Sequence, residues 1–284
     1  MGRTVRGLMD GLLPFRFAFT DKQWGQKFVV LSLLTLSMTA LFALAVVFSN
    51  STPIVAVMLV SIFTIIGLFP LCIVLGYLLG IVRRVDANEP ILLPRWEEWD
   101  VLIARGAGLL LVMTIYNTPL LLSVITLIFI PRFLGNTNFA GAASLLILCC
   151  VLPFIIIITS LGWLCLAVGA IRYAKGEGLS LFFRPETLLR SAFAVGGYSA
   201  QWLLLVLVYN VIFSLMLIIP CIGWMVYGAF LFPAHGHLLG QYGQHLDKAV
   251  ADAKSAPKAD KKPPQKPNMS QKPPRPLGSA PKRK

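Results

Sequence analysis

The chain has 284 residues, of which 57% are hydrophobic and 13% are charged, and its mean hydropathy is +0.76. Soluble domains carry about 25% charged residues, so this composition excludes an ordinary soluble domain and indicates a membrane protein. The formal net charge of +13 comes from basic residues grouped between apolar stretches, which favours membrane topology over specific nucleic-acid binding.

Six apolar segments are long enough to cross a membrane, and none carries a charge near its centre. A crossing needs about 20 helical residues for a hydrocarbon core about 30 Å thick. Lipid offers no hydrogen-bond partner to an open backbone, so all six segments are predicted to be helices. The expected fold is an all-α polytopic membrane helix bundle with six transmembrane helices, at 27–49, 53–82, 102–130, 140–171, 191–219 and 221–242.

The segment before the first span is polar and carries no cleavage site of small residues behind a short apolar run. We therefore expect no removable signal peptide. The predicted organisation is a cytoplasmic or interfacial segment at 1–26, a transmembrane domain at 27–247 and a tail at 248–284.

Charged residues fall almost entirely in four segments. Lys and Arg number five before residue 28, four in 83–105, four in 172–190 and eleven from residue 248 onward, which leaves only Arg132. Basic residues resist translocation, so these segments and both termini are expected in the cytoplasm. The six spans then form three helical hairpins.

A segment that mixes aromatic and charged residues precedes each hairpin. In the second of these segments, Trp96 and Trp99 are three residues apart and share one helix face. Such amphipathic segments are predicted to lie in the headgroup layer, where tryptophan is favoured. The expected interfacial anchors are Arg16, Trp96, Trp99 and Arg184.

The hairpins resemble one another weakly. Leu68-Phe69-Pro70 precedes Gly76-Tyr77-Leu78-Leu79-Gly80, and Leu231-Phe232-Pro233 precedes Gly236-His237-Leu238-Leu239-Gly240. Two interpretations remain open: a three-fold internal repeat of parallel units, or chance similarity among leucine-rich spans.

Small residues and prolines mark the even-numbered spans. Gly76 with Gly80, and Gly236 with Gly240, form small-xxx-small pairs that let helix backbones approach closely, so both faces are expected inside the bundle. Pro70, Pro153 and Pro233 are each expected to kink a span, because proline removes one backbone hydrogen bond.

The most interesting polar residues within the spans are Tyr116, Asn117, Tyr209 and Asn210. An amide in hydrocarbon needs a hydrogen-bond partner. Two interpretations remain open: the asparagines hold neighbouring helices together, or the two pairs line one ligand cavity.

Other reactive chemistry is sparse. Five cysteines fall inside the spans without C-x-x-C spacing, and His235 and His237 are two residues apart, so they diverge on a helix. The sequence contains no HExxH motif, no GxSxG motif and no phosphate-binding glycine loop. We expect no enzymatic activity, no metal and no cofactor.

The tail at 248–284 is rich in proline and lysine and poor in apolar residues. It is predicted to be disordered, because it cannot bury enough surface to offset its chain entropy. Its expected partner is the anionic lipid of the inner leaflet.

Two stretches carry a family resemblance. Gly76 to Arg84, with the segment Leu93-Pro94-Arg95-Trp96-Glu97-Glu98-Trp99, and the ending Ala234 to Tyr242 resemble a family of bacterial and archaeal polytopic membrane proteins known only as a domain of unknown function, DUF4013. The resemblance covers roughly residues 8 to 245. It implies a prokaryotic inner-membrane protein and provides no catalytic residue.

Two functions follow as expectations. The first is a non-enzymatic scaffold, assembly factor or partner subunit that contacts another membrane protein. The second is a transporter or permease-like protein for a neutral or lipidic solute, with Asn117 and Asn210 along its path. A cavity lined by both Tyr-Asn pairs would favour the transporter, whereas a dry, leucine-filled interior would favour the scaffold.

Overall fold

The computed structural model describes residues 9–48, 53–90, 93–96, 98–134, 145, 149, 151–219 and 222–255. Within these residues the chain forms helices and no strand, which confirms the all-α fold class. Two short 3-10 helices, Phe17–Thr20 and Leu179–Phe183, accompany eight α-helices in the described part. The α-helices are α1 (Leu13–Arg16), α2 (Trp24–Phe48), α3 (Pro53–Asp86), α4 (Trp99–Leu134), α5 (Leu152–Ala174), α6 (Pro185–Ala194), α7 (Gly196–Met216) and α8 (Ile222–Ser255).

The long helices pack as three hairpins, namely α2 with α3, α4 with α5 and α7 with α8. We call them the first, second and third hairpins. Helix α3 also contacts α4 and α8, and α8 contacts α1, α2, α5 and α6 as well. Residues 236–243 of α8 are buried without interruption. Helix α8 is therefore the central helix of the bundle.

Five described helices are long and apolar enough to cross a membrane: α2, α3, α4, α5 and α7. The predicted sixth span lies on α8, which is less apolar because it carries His235, His237 and Gln241. His237 is 2% exposed and Gln241 is 8% exposed, so both contact protein. A central helix meets fewer lipid chains than a peripheral one, and its polar side chains find partners within the bundle.

The outer faces of the peripheral helices are apolar. Large aliphatic and aromatic side chains lie exposed there, which would be unfavourable in water and is favourable against lipid. Examples are Ile65 and Phe69 on α3, Leu111 and Ile115 on α4, Phe154 and Ile157 on α5, and Leu204 and Leu207 on α7.

Two predicted spans differ in detail from the helices. The fifth was expected from residue 191, but α6 ends at Ala194 and α7 begins at Gly196, after a break at Val195. Pro153 is the second residue of α5 and follows Val151, which lies in a π-helical turn. Pro70 and Pro233 lie inside α3 and α8, as expected. Most of the residues 140–151 lie outside the described residues.

A short segment precedes each hairpin and inserts an aromatic ring between helices. Phe17 packs on His237 of α8 with ring centroids 4.5 Å apart. Trp96 stacks on Tyr77 of α3 at 4.2 Å and 10°. Phe182 packs on α5 against Gly169. The segment before the first hairpin thus contacts the second helix of the third hairpin. The segment before the second hairpin contacts the second helix of the first, and the segment before the third contacts the second helix of the second. This cyclic pattern favours the three-unit repeat.

Candidate functional site

Tyr116 and Asn117 lie in the middle of α4 and bind two neighbouring segments. The Tyr116 hydroxyl donates to the carbonyl oxygen of Phe182 at 2.8 Å. Asn117 Oδ1 accepts a hydrogen bond from Trp163 Nε1 on α5 at 3.2 Å, and its Nδ2 donates to Met113 O at 2.7 Å. This pair joins the two helices of the second hairpin to the segment before the third.

Tyr209 and Asn210 lie on α7 and have different partners. The Tyr209 hydroxyl donates to Gly11 O in the N-terminal segment. Asn210 Nδ2 donates to Val206 O within its own helix, at 2.8 Å. The two tyrosines therefore bond different connecting segments, and none of these hydrogen bonds joins one Tyr-Asn pair to the other.

The two asparagines are expected to differ in their effect on stability. Asn117→Leu would leave the Trp163 N–H without its acceptor, so we expect the free energy of unfolding to fall by about 1–2 kcal/mol. Asn210→Leu breaks only a bond within one helix, and we expect a change below about 0.5 kcal/mol. Denaturation of both variants in one detergent measures the difference. Equal losses would contradict the interhelical role of Asn117.

The first glycine pair lies where α3 crosses α4. A Cβ atom at Gly76 would overlap the backbone carbonyl of Leu102, and one at Gly106 would overlap the carbonyl of Cys72. At Gly80 an added Cβ would lie 2.7 Å from Pro94 Cγ. The backbones of α3 and α4 are therefore in direct contact, and only glycine fits.

The second glycine pair lies between α8 and α3. A Cβ at Gly236 would lie 3.1 Å from Leu78 O, and a Cβ at Gly240 would lie 2.5 Å from Val85 Cβ. The Gly236/Gly240 pair therefore faces α3 from α8, whereas the Gly76/Gly80 pair faces from α3 toward α4 and the segment that carries Pro94. Both pairs serve close helix packing.

The segment Leu93–Trp96 is fixed on α3 by three of its four residues. Leu93 is 1% exposed and belongs to the cluster around Tyr77. Pro94 covers Gly80, and Trp96 stacks on Tyr77 and lies 5.4 Å from the Trp99 ring. Arg95, between the buried Pro94 and the partly buried Trp96, is exposed.

A buried ion pair holds the same segment from the other side. Lys27 Nζ lies 2.6 Å from Asp21 Oδ2, and their side chains are 6% and 10% exposed. Lys27 also donates to Leu93 O at 3.0 Å. Burial acts to raise the pKa of Asp21, but hydrogen bonds from Lys27 and the Gln23 N–H outweigh it, so the pKa is lowered.

A cleft of about 180 Å³ opens beside this segment, between the charged ends of α3 and α4. Backbone and apolar atoms of both helices form its floor, and Pro94 lies at its edge. Its charged lining consists of four arginines and one glutamate: Arg83, Arg84, Arg95, Arg105 and Glu98. We call it the arginine cleft.

A second ionic cluster joins three helices at their charged ends. Lys175, just after α5, lies 2.9 Å from Asp86 Oδ2 on α3 and 2.7 Å from Asp247 Oδ2 on α8. Burial acts to lower the pKa of Lys175, but its bonds to Asp247 and Asp86 outweigh it, and the pKa is raised. We call these three residues the lysine cluster.

The remaining predicted anchors lie on the surface of the bundle. Arg16 is the last residue of α1, and Arg184 immediately precedes α6; both are exposed. Trp99 is 39% exposed at the first residue of α4.

A partly open cavity of about 140 Å³ is lined by α3, α4, α5, α7 and α8. Two ring nitrogens at its wall, Trp202 Nε1 and His235 Nε2, are buried and have no hydrogen-bond partner among the described residues. A separate apolar cleft of about 410 Å³ includes Tyr116 in its lining. Neither of these two cavities is lined by Asn117 or Asn210.

Sequence reasoning missed the residues that assemble these sites. Lys27, Leu93, Arg105 and the lysine cluster come from distant segments, and their meeting depends on helix packing. The stretch Leu93-Pro94-Arg95-Trp96 was the best available signal for the arginine cleft. No group of three His, Cys, Asp or Glu residues in the described part could hold a metal ion.

Comparison with known proteins identifies the family. The family model described as protein of unknown function (DUF4013) matches residues 59–222, from α3 to the beginning of α8. The arginine cleft lies within this range, whereas most of α8 lies outside it. No curated protein and no solved structure matches the chain. Because the match covers more than half of its 284 residues, the chain belongs to this family of unknown function.

Proposed function

We propose that this protein is a non-enzymatic component of the prokaryotic inner membrane, acting as a scaffold, assembly factor or partner subunit of another membrane protein. The observation that carries this proposal is the lysine cluster, which joins the charged ends of α3, α5 and α8. Ionic contacts among three hairpins produce one rigid, polar end on an otherwise apolar bundle. Such an end suits contact with a partner rather than turnover of a substrate.

The same contacts support the proposed topology. Lys27, which pairs with Asp21, also meets Leu93, and Lys175 meets Asp86 and Asp247, so the segments before and between the hairpins share one end of the bundle. Because that end carries most basic residues of the described part, the orientation rule for basic residues favours the cytoplasm. Both termini would then be cytoplasmic.

Site-specific photocrosslinking in native membranes tests the scaffold proposal. A photoreactive residue replaces Arg190, exposed on α6 at the charged end, and a control replaces Ile218, 75% exposed beyond α7. We expect one discrete protein adduct from position 190 and none of the same size from position 218. If neither position gives an adduct and the chain purifies alone in mild detergent, the proposal is wrong.

A carrier for a small neutral or lipidic solute is the second candidate, favoured by the partly open cavity with Trp202 and His235 at its wall. Trp202→Phe removes the N–H and keeps an aromatic ring, while Trp224→Phe is the control, since Trp224 bonds Leu217 O outside the cavity. A carrier predicts that Trp202→Phe alone abolishes solute flux with the fold retained. If the protein is a scaffold, the photocrosslinked adducts should be unchanged in both variants.

A further inference from the structure

The arginine cleft has a strong positive charge for its size. Four arginines and one glutamate line about 180 Å³, so the formal charge of the lining is +3. Arg84 Nε lies 3.8 Å from Glu89 Oε2, a pair in which both side chains are partly exposed. Arg83 and Arg105 form no ion pair with another described residue. The cleft is therefore suited to an anion.

The cleft is a fixed feature of the fold rather than a chance grouping of flexible side chains. Its floor is the crossing of α3 and α4, where Gly76 meets the Leu102 carbonyl. Its edge is Pro94, held against Gly80. The segment that carries Arg95 is anchored by the burial of Leu93 and the bond from Lys27. Helix packing thus positions the recess before any ligand binds.

The position of Arg105 shows the depth of the cleft. This residue lies in the second turn of α4, inside the stretch Trp99–Ser123 that is apolar enough to cross a membrane. An arginine at that depth is costly unless its charge is paired or reaches the headgroup layer. The neighbouring stack of Tyr77, Trp96 and Trp99 has the composition of an interfacial aromatic belt. The cleft therefore opens at the level of lipid headgroups.

We infer that the arginine cleft binds the phosphate group of an anionic phospholipid of the cytoplasmic leaflet. Guanidinium groups match phosphate oxygens with paired hydrogen bonds, and basic pockets between transmembrane helices on this side of a membrane bind lipid headgroups. The exposed apolar faces of α3 and α4, including Phe69 and Leu111, provide a surface for the acyl chains. The cleft is lined by residues between Gly76 and Arg105 rather than by the basic tail, and it binds one lipid molecule rather than a charged surface.

Native mass spectrometry of the full chain tests the inference, by titration with phosphatidylglycerol and, separately, phosphatidylcholine in a neutral detergent. We expect one phosphatidylglycerol molecule to remain bound and phosphatidylcholine to bind more weakly. Arg83→Gln with Arg105→Gln should weaken phosphatidylglycerol binding about 30-fold, since each basic residue near a membrane surface contributes about 1 kcal/mol. The control is Arg184→Gln with Arg190→Gln, which removes two exposed basic residues outside the cleft. The control should change the affinity less than about 3-fold.

A substitution with the opposite expected effect on lipid affinity keeps the test decisive if the Arg83/Arg105 double variant fails to fold. Glu98→Gln removes the acidic side chain of the cleft from an exposed position, and we expect phosphatidylglycerol to bind about 5-fold more tightly. A damaged fold would not improve binding. An affinity that is unchanged or weaker in Glu98→Gln would overturn the inference.

Two further outcomes would also overturn it. Equal losses in the cleft variant and in the Arg184/Arg190 control would show that overall charge, not the cleft, holds the lipid. The second outcome concerns a separate titration with inorganic phosphate at millimolar concentration. If the wild type retains inorganic phosphate but no phosphatidylglycerol, and the Arg83/Arg105 variant retains neither, the cleft is a site for a soluble anion and the lipid assignment is wrong.

Discussion

Gly106→Ala is expected to lower the free energy of unfolding by about 3 kcal/mol or more, although alanine is the better helix former by about 1 kcal/mol. The added Cβ would overlap the backbone carbonyl of Cys72 and approach the backbone nitrogen of Gly76. A side chain can rotate away from such an overlap, but a helix backbone cannot. The α3–α4 crossing would have to separate along its length.

Gly25→Ala is the matched control, because a Cβ at Gly25, in the first turn of α2, would meet no atom within 4 Å. We expect it to leave stability unchanged or raise it by about 0.5 kcal/mol. Thermal denaturation of both variants in the same detergent measures the contrast. Similar stability of the two variants would contradict the backbone contact at Gly106. Because the same crossing forms the floor of the arginine cleft, Gly106→Ala should also weaken phosphatidylglycerol binding.

Lys27→Met is expected to destabilise the protein by about 3–5 kcal/mol, because it leaves the Asp21 carboxylate, 10% exposed, without its partner. It also removes the hydrogen bond to Leu93 O, which holds the segment beside the cleft. The double variant Asp21→Asn with Lys27→Met should recover most of the loss, since no unpaired charge then remains buried.

The control is Arg190→Met, which breaks an ion pair of the exposed kind. Arg190 and Glu186 are 81% and 84% exposed, so we expect a loss below about 0.5 kcal/mol. Chemical denaturation measures all three variants. A loss in Lys27→Met no larger than that in Arg190→Met would show that the buried pair contributes little.

The pH dependence of the wild type gives an independent check on this pair. The pKa of Asp21 is lowered in the folded protein, so its stabilisation is present above the pKa of the unfolded chain, about 4. It is lost as the pH falls through the lower folded value. Between pH 5 and pH 3, the wild type should therefore lose more stability than the Asp21→Asn/Lys27→Met variant.

The predicted spans agree best with the observed helices where contact with lipid determines the amino-acid composition of the helix. Helices α2, α3, α4, α5 and α7 expose apolar faces, and their hydropathy identifies them. Helix α8 differs because it is central, and contacts with protein permit His237 and Gln241 in its middle. The break at Val195 was missed because the last residues of α6, Ala192, Phe193 and Ala194, are apolar enough to be taken as the beginning of the fifth span.

The glycines and the asparagines show which contacts the local sequence pattern predicts and which it does not. Small-residue spacing indicated that Gly76, Gly80, Gly236 and Gly240 would face other helices, and each has a helix or segment within contact distance. The sequence around Tyr116, Asn117, Tyr209 and Asn210 did not indicate their hydrogen-bond partners. Asn117 binds across helices and Asn210 binds within its own, a difference that depends on which helix lies opposite.

The amino-acid sequence by itself determined that the chain crosses a membrane as helices, where most charges lie along it, and which helix faces admit a backbone at close range. These properties depend on composition and on residues near in sequence. Only the tertiary structure decided that Lys27 meets Leu93, that Lys175 meets Asp86 and Asp247, and that four arginines line one cleft. Such contacts join residues far apart in the chain, and the crossing of packed helices sets which of them meet.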